Sequence, residues 1–214
     1  MHSSKDSLIS IKKEIQEINP KSQLIVVTKT FGMNKIEPLI ESGHKHFGEN
    51  KVQEAIEKWE PVKAKQNDIK LHLIGQLQSN KVKFCLPLFD YIHGLDSLKL
   101  ADKIANEQVK KNFRPKLFIQ INIGDEEQKG GVNQEEILKF YSEIKKNFDL
   151  DIIGLMCIPP ASEDPSHFFK EMKSLKKSLN LKDLSMGMSS DYLNAIEYEA
   201  TYVRVGSKIF GSRN

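Results

Sequence analysis

Lys29 is the residue that raises a chemical question first. It ends the stretch LIVVTKTFG, in which the apolar residues Leu24 to Val27 run directly into Thr28 and Lys29. An amine at the end of a buried strand is either a solvated surface group or a nucleophile held at the mouth of a core. Far along the chain, SMGMSSD (Ser185–Asp191) and RVGSKIFG (Arg204–Gly211) supply Ser189, Arg204, Gly206 and Ser207. Two hydroxyls, a glycine backbone and a guanidinium can together receive a phosphate, with backbone N–H groups at a helix start adding donors. Taken singly, each has an ordinary reading: a serine capping a helix, a glycine in a turn, an arginine paired inside the fold. An amine beside a guanidinium in a desolvated mouth has its charged form disfavoured, and a neutral amine attacks carbonyls. An amine and a phosphate cup on one rim fit a phosphorylated aldehyde. Pyridoxal phosphate and a sugar phosphate both satisfy that description.

These residues must be brought together by the elements between them. Eight short apolar segments have the pattern of strands: 24–29, 44–48, 71–75, 91–95, 116–123, 151–158, 183–188 and 201–206. Several are continuous apolar runs, as strands buried on both faces are. Helical periodicity fills the intervals. Asn34 with Glu37, and Asn133 with Glu136, have capping-box spacing, Asp96 is placed to cap a helix, and Gly43 to end one. A helix over 50–65 carries Val52, Ala55, Ile56 and Trp59 on one face, and another runs from Phe168 to Leu179. Met188-Ser189-Ser190 opens a helix, and Gly206 and Ser207 open the last. Eight strand–helix units predict parallel strands with right-handed crossovers, enough to close a (β/α)8 TIM barrel. An extra N-terminal helix, about residues 5–18, covers its bottom. An open doubly wound sheet is disfavoured because no G-x-G-x-x-G follows the first strand. In a barrel, function collects at the C-terminal strand ends. There the first strand brings Thr28 and Lys29, the second Glu49 and Asn50, the third His72, the fifth Gln120 and Asn122.

Composition narrows the class. The chain has 214 residues, 39% hydrophobic and 29% charged, which is the balance of a globular protein and predicts one domain over 1–214. No apolar run is long enough to span a bilayer, and the N-terminal segment lacks a signal-peptide core, so a cytoplasmic protein is expected. Cys85 and Cys157 have no metal-type spacing, so neither zinc nor a disulfide framework is expected. A net charge of +3, from 32 basic and 29 acidic residues, gives no basis for nucleic-acid binding.

The motifs VVTKT (26–30), HFGENKVQEAIEKW (46–59), LHLIGQLQSNK (71–81), IGLMCIPP (153–160), LSMGMSSD (184–191) and VRVGSKIFGSR (203–213) stand in this order along the chain. Together they resemble the pyridoxal phosphate homeostasis protein family, whose barrel is of the alanine racemase N-terminal type. The resemblance implies pyridoxal 5'-phosphate as the cofactor, bound as an aldimine on Lys29. It places Ser189, Gly206 and Ser207 at the family's phosphate positions, Arg204 near the cofactor, Asn50 on its rim, and His72 and Met186 along the pocket. Gly32 stands where the family often has proline. Lys129-Gly130-Gly131 resembles its K-x-G loop.

A racemase of this cofactor type needs a second base. The resemblance implies that related enzymes take help from a tyrosine of a further domain, and this sequence ends at Asn214. Tyr91, Tyr141, Tyr192, Tyr198 and Tyr202 are not placed at predicted pocket-facing strand ends. The expectation is a monomeric carrier in vitamin B6 homeostasis with no catalytic residues, serving apo-enzymes that need the cofactor. A small fold-type III amino acid racemase is the alternative. A phosphosugar-binding barrel with a Schiff-base lysine is a third reading.

Overall fold

The structure is a computed structural model that describes residues 3–126 and 128–211. Arg213, at the end of the last motif, lies outside them. Eight parallel strands form a ring: β1 (Gln23–Val27), β2 (His46–Glu49), β3 (Lys70–Leu73), β4 (Tyr91–Leu95), β5 (Lys116–Asn122), β7 (Asp151–Cys157), β8 (Asp183–Ser185) and β9 (Tyr202–Val205). The ring closes where β9 pairs with β1, Arg204 opposite Ile25 and Val205 opposite Val26. The TIM barrel expected from the strand–helix alternation is therefore present. A two-residue strand, β6 (Val132–Asn133), pairs with β5 outside the ring.

Strand alternation sorts the side chains into two layers. Leu24, Val26, Phe47, Leu71, Leu73, Ile92, Leu117, Ile119, Leu155, Leu184, Val203 and Val205 face outward and join one apolar layer with the helices. That layer includes Ile36 and Leu39 of α2 (Met33–Glu41), Ala55 and Trp59 of α3 (Val52–Lys63), Leu100 and Ile104 of α5 (Leu98–Lys111), and Phe140 and Ile144 of α6 (Ile137–Asn147). Phe169 and Met172 of α7 (Ser166–Ser178), Tyr192 and Ala195 of α8 (Tyr192–Glu197) and Ile209 of α9 (Ser207–Phe210) complete it. The alternate positions fill the lumen. Tyr91, Phe118 and Met156 form a separate cluster there, beside the fully buried His72, His93 and Ser185.

α1 (Ser4–Ile18) is capped by a reciprocal pair: Asp6 N–H donates to Ser3 Oγ at 3.2 Å and Ser3 N–H to Asp6 Oδ2 at 3.1 Å. It buries Leu8, Ile11 and Ile15. It packs on the flank of the barrel against α2, α8 and α9, rather than closing the bottom. Only Lys12, Ile15 and Gln16 reach a basal cavity at the starts of β1 and β2.

Three caps differ from expectation. Gly32, not Asn34, precedes α2, with no side-chain bond at its start. Ser97, not Asp96, caps α5, accepting from the Leu100 N–H at 3.3 Å. Asn133 precedes a 3-10 turn without capping it. Spacing alone does not tell which nearby residue precedes the first turn, nor whether its side chain bonds the helix start. Gly43 ends α2 as expected, at φ +82°, a conformation that suits glycine. Among the described residues no helix is long and apolar enough to cross a membrane. Among those residues, too, no group of three or more His, Cys, Asp or Glu is placed to hold a metal ion.

Candidate functional site

Lys29 sits in the turn just past β1, half-buried, and the residues on either side of it are anchored. Thr28 is fully buried, and its N–H donates to Gly48 O at 2.9 Å. Its hydroxyl donates to Glu49 Oε1 at 2.7 Å. Thr30 adopts a left-handed backbone, φ +67°, which in a β-branched residue stores strain of order 1–3 kcal/mol. Its N–H is held by Glu54 Oε1 at 2.6 Å. Lys58 of α3 ties the two sides together, donating to Thr28 O at 3.0 Å, Glu49 Oε1 at 2.9 Å and Glu54 Oε1 at 3.0 Å. Trp59 Nε1–H also donates to Glu49 Oε1, at 2.9 Å. Burial works to raise the Glu54 carboxyl, but the Thr30 N–H and the Lys58 ammonium outweigh it and hold the group below its ordinary range. Fixing both neighbours limits where the Lys29 amine can go.

Lys29 lines a cavity of ≈ 370 Å³ at the C-terminal ends of the strands. Asn50, Ser189, Ser190, Arg204, Gly206 and Ser207 share it, and Val27, Ile74, Ile158 and Met188 add apolar wall. Phe31, also lining it, stacks on Phe210 with ring centroids 4.4 Å apart. Gly75 lets the Asn50 segment approach, because a Cβ there would lie 2.3 Å from Asn50 O. Asn50 Oδ1 is buried in the protein without a hydrogen-bond partner, a state that calls for a donor from a ligand.

The phosphate-type donors are arranged differently from expectation. α8 starts only at Tyr192, so Met188 to Asp191 form a turn before it, closed by the Met188 N–H to Asp191 Oδ1 at 2.6 Å. Gly187, at φ +89°, makes that turn, and a Cβ there would stand 2.6 Å from the Ala195 Cβ. Ser189 Oγ accepts the Gly206 N–H at 3.3 Å, which joins the loops after β8 and β9. Ser207 is exposed at the first position of α9.

Arg204 lies below this rim and is 4% exposed. Its Nη1 donates to Ser185 O at 2.8 Å and Ser185 Oγ at 2.7 Å, and Nη2 donates to Cys157 O at 2.8 Å. Burial lowers its pKa from the ordinary arginine value. It can only donate, so a ligand atom that meets it must be an acceptor.

The structure thus brings Lys29, Asn50, Ser189, Arg204, Gly206 and Ser207 to one cavity. His72 and Met186 are not there. His72 points into the lumen one layer deeper, and Ile74, two residues on, takes the cavity-facing position. Met186 follows the inward Ser185 and turns to the outer apolar layer. Glu54 and Lys58, four apart on α3, have the spacing of a helix-surface pair, yet the Lys58 side chain is only 10% exposed, and sequence reading does not single them out. The run HFGENKVQEAIEKW, which holds Glu49, Glu54 and Lys58, was the available signal.

The family model of the alanine racemase N-terminal domain matches residues 8–214, which defines the class of barrel. The chain is 37% identical over 201 residues to the pyridoxal phosphate homeostasis protein of Aquifex aeolicus, covering 90% of this chain and 87% of that one. It therefore belongs to the pyridoxal phosphate homeostasis protein family. Among solved structures it is similar to PipY of Synechococcus elongatus with PLP bound, at TM-score 0.85 and 31% identity, over 98% of this chain and 100% of that one. An alanine racemase of Clostridium difficile superposes at TM-score 0.74 with 16% identity, over 97% of this chain and 57% of that one; that likeness concerns the fold alone.

Proposed function

We propose that this chain, as a single barrel domain, binds pyridoxal 5'-phosphate in the rim cavity as a Lys29 aldimine. It serves vitamin B6 homeostasis as a cytoplasmic monomer that supplies apo-enzymes, with little or no amino-acid turnover. The observation that carries this reading is the composition of one cavity. It joins an amine whose flanking residues are fixed to hydroxyls, a glycine backbone and a buried guanidinium, and among the described residues its lining includes no carboxylate, histidine, tyrosine or thiol. The cofactor when bound supplies a reactive aldehyde and an electron-withdrawing ring. The chain's own residues bind and orient it. Lys29 takes the aldehyde, Ser189 and Ser207 present donors to the phosphate, Gly206 lets it come close to the backbone, Asn50 Oδ1 accepts from a ligand donor, and Ile74, Ile158 and Met188 exclude water. The family and the PLP-bound PipY support the ligand. An acid–base pair for racemisation is not supported, since Lys29 and Arg204 are the titratable side chains of the described lining and arginine stays protonated and cannot act as a base.

The test is the absorption spectrum of the protein mixed with pyridoxal 5'-phosphate, beside a Lys29→Ala variant. A visible band in the wild type, removed by borohydride and absent from the variant, is expected; equal bands in both overturn the role of Lys29. Deuterium exchange at the α-carbon of common amino acids checks the second half of the reading. Exchange at ordinary enzyme rates would make the protein a racemase-type enzyme.

A further inference from the structure

Below the cavity a file of hydrogen-bonded side chains crosses the barrel lumen from β9 to β2. Arg204 Nη1 donates to Ser185 Oγ at 2.7 Å. Ser185 Oγ lies 2.8 Å from His93 Nδ1, His93 Nε2 lies 3.0 Å from His72 Nδ1, and His72 Nε2 lies 2.9 Å from His46 Nδ1. Ser185, His72 and His93 are fully buried, while His46 lines the basal cavity at the far end of the barrel.

The rings are neutral. Burial lowers the pKa of all three, His46 to about 4 and His72 and His93 well below the usual histidine value, and the Arg204 guanidinium adds to the effect at His93. A neutral imidazole has one N–H, and each link in the file needs one hydrogen. If His72 carries its proton on Nδ1, it donates to His93 Nε2. His93 must then donate from Nδ1 to Ser185, and His46 from Nδ1 to His72. If His72 carries it on Nε2, every bond reverses and all three rings are Nε2–H. No mixed arrangement satisfies the file.

Arg204 decides between the two states. It can only donate, so Ser185 Oγ already accepts one bond. In the Nδ1–H state Ser185 would accept a second from His93, and its own buried hydroxyl hydrogen would have no acceptor among the described residues. In the Nε2–H state Ser185 donates to His93 and every bond is made. We infer that Arg204 imposes the Nε2–H tautomer on His93, His72 and His46 together, and that this ordered file fixes the guanidinium under the cavity. Ser185, His93 and His72 are then positioning residues that act through Arg204. The bonds leave the Arg204 Nε–H and one Nη2–H unengaged by described residues, for the cavity that Arg204 lines. The inference holds for the ligand-free protein and does not depend on which ligand the cavity takes.

The experiment is nitrogen-15 NMR of the histidine rings in the full ligand-free chain at pH 7, where protonated and bare ring nitrogens are distinguished directly. All three rings are expected to be Nε2–H, each as a single form. One ring of the three found as Nδ1–H, as a mixture or as imidazolium overturns the inference without any variant. Two variants test where the order originates. Ser185→Ala cuts the file at Arg204, so all three histidines lose their single tautomer and the Arg204 Nε resonance shifts. His72→Phe, which keeps a flat ring in the lumen, leaves His93 as Nε2–H and releases only His46. The reverse result, His46 ordered and His93 released, would place control at the basal cavity and sink the role of Arg204.

Discussion

The two layers on either side of the β-ring differ in kind. Outside it, the layer between strands and helices is mostly aliphatic and aromatic, with a few polar bonds set into it, such as Trp59 to Glu49 and Tyr192 to Glu14. Inside it, the lumen holds three histidines, two tyrosines, a serine and an arginine alongside Phe118 and Met156. The histidines are tolerated because their faces and edges are treated separately. His72 stacks on Tyr91 with centroids 4.2 Å apart and His93 on Phe118 at 4.4 Å, while the ring nitrogens carry the file. The outer layer provides bulk burial, which many apolar sequences could supply. The lumen provides directed hydrogen bonds, which few could. Bulk burial and the hydrogen-bonded file are thus assigned to opposite faces of the same strands, while the tie of Lys58 and Glu49 to Thr28 brings the outer face to the site as well.

If that division is right, the largest loss of stability without loss of binding should come from the outer layer. Phe169→Ala, at a fully buried helix position, should lower unfolding stability by about 3–5 kcal/mol. Urea denaturation would show it, and cofactor affinity measured below the transition should stay the same. Acid should next single out the lumen. The folded pKa of His46 is about 4, below its ordinary 6.5, so the unfolded chain binds more protons between these values and stability falls as pH drops. Stability should be full above about pH 6.5, and His46 alone should account for a loss of about 3 kcal/mol by pH 4. A urea midpoint that does not move across this window would break the comparison. Lys58→Met should follow, at about 2–3 kcal/mol, because it leaves the buried Glu49 carboxylate without its ammonium. The same variant should slow capture of pyridoxal 5'-phosphate in stopped-flow absorbance, since Thr28 and Thr30 lose their common tie. Smallest is Lys29→Ala. Thermal unfolding without ligand should shift by less than about 1 kcal/mol, while the visible band is lost entirely.

The outer layer could be read from sequence because it is periodic. Continuous apolar runs mark the strand segments, and a helical stripe puts Val52, Ala55, Ile56 and Trp59 on one face, from the sequence alone. The rim residues Lys29, Arg204, Ser189, Gly206 and Ser207 followed, because a barrel puts the ends of its strands on one face. The lumen could not be read in this way. His46, His72 and His93 lie on three strands with Ser185 on a fourth, and no periodicity joins positions that meet only when the ring closes. Met186 shows the limit from the other side, because one residue of alternation separates the lumen from the outer layer and sequence does not give the phase at a strand end. Strand β6 was too short to carry a pattern.

The seam of the ring has a consequence for synthesis. β1, with Lys29 at its end, completes its pairing on one side only with β9, which carries Arg204 and emerges from the ribosome last of the described strands. A nascent chain therefore displays an amine-bearing strand for most of its translation before the guanidinium and the Gly206–Ser207 donors arrive. On the proposed reading, cofactor capture requires β9 as well as β1, and a stalled or truncated product lacking β9 would not compete for the aldehyde there.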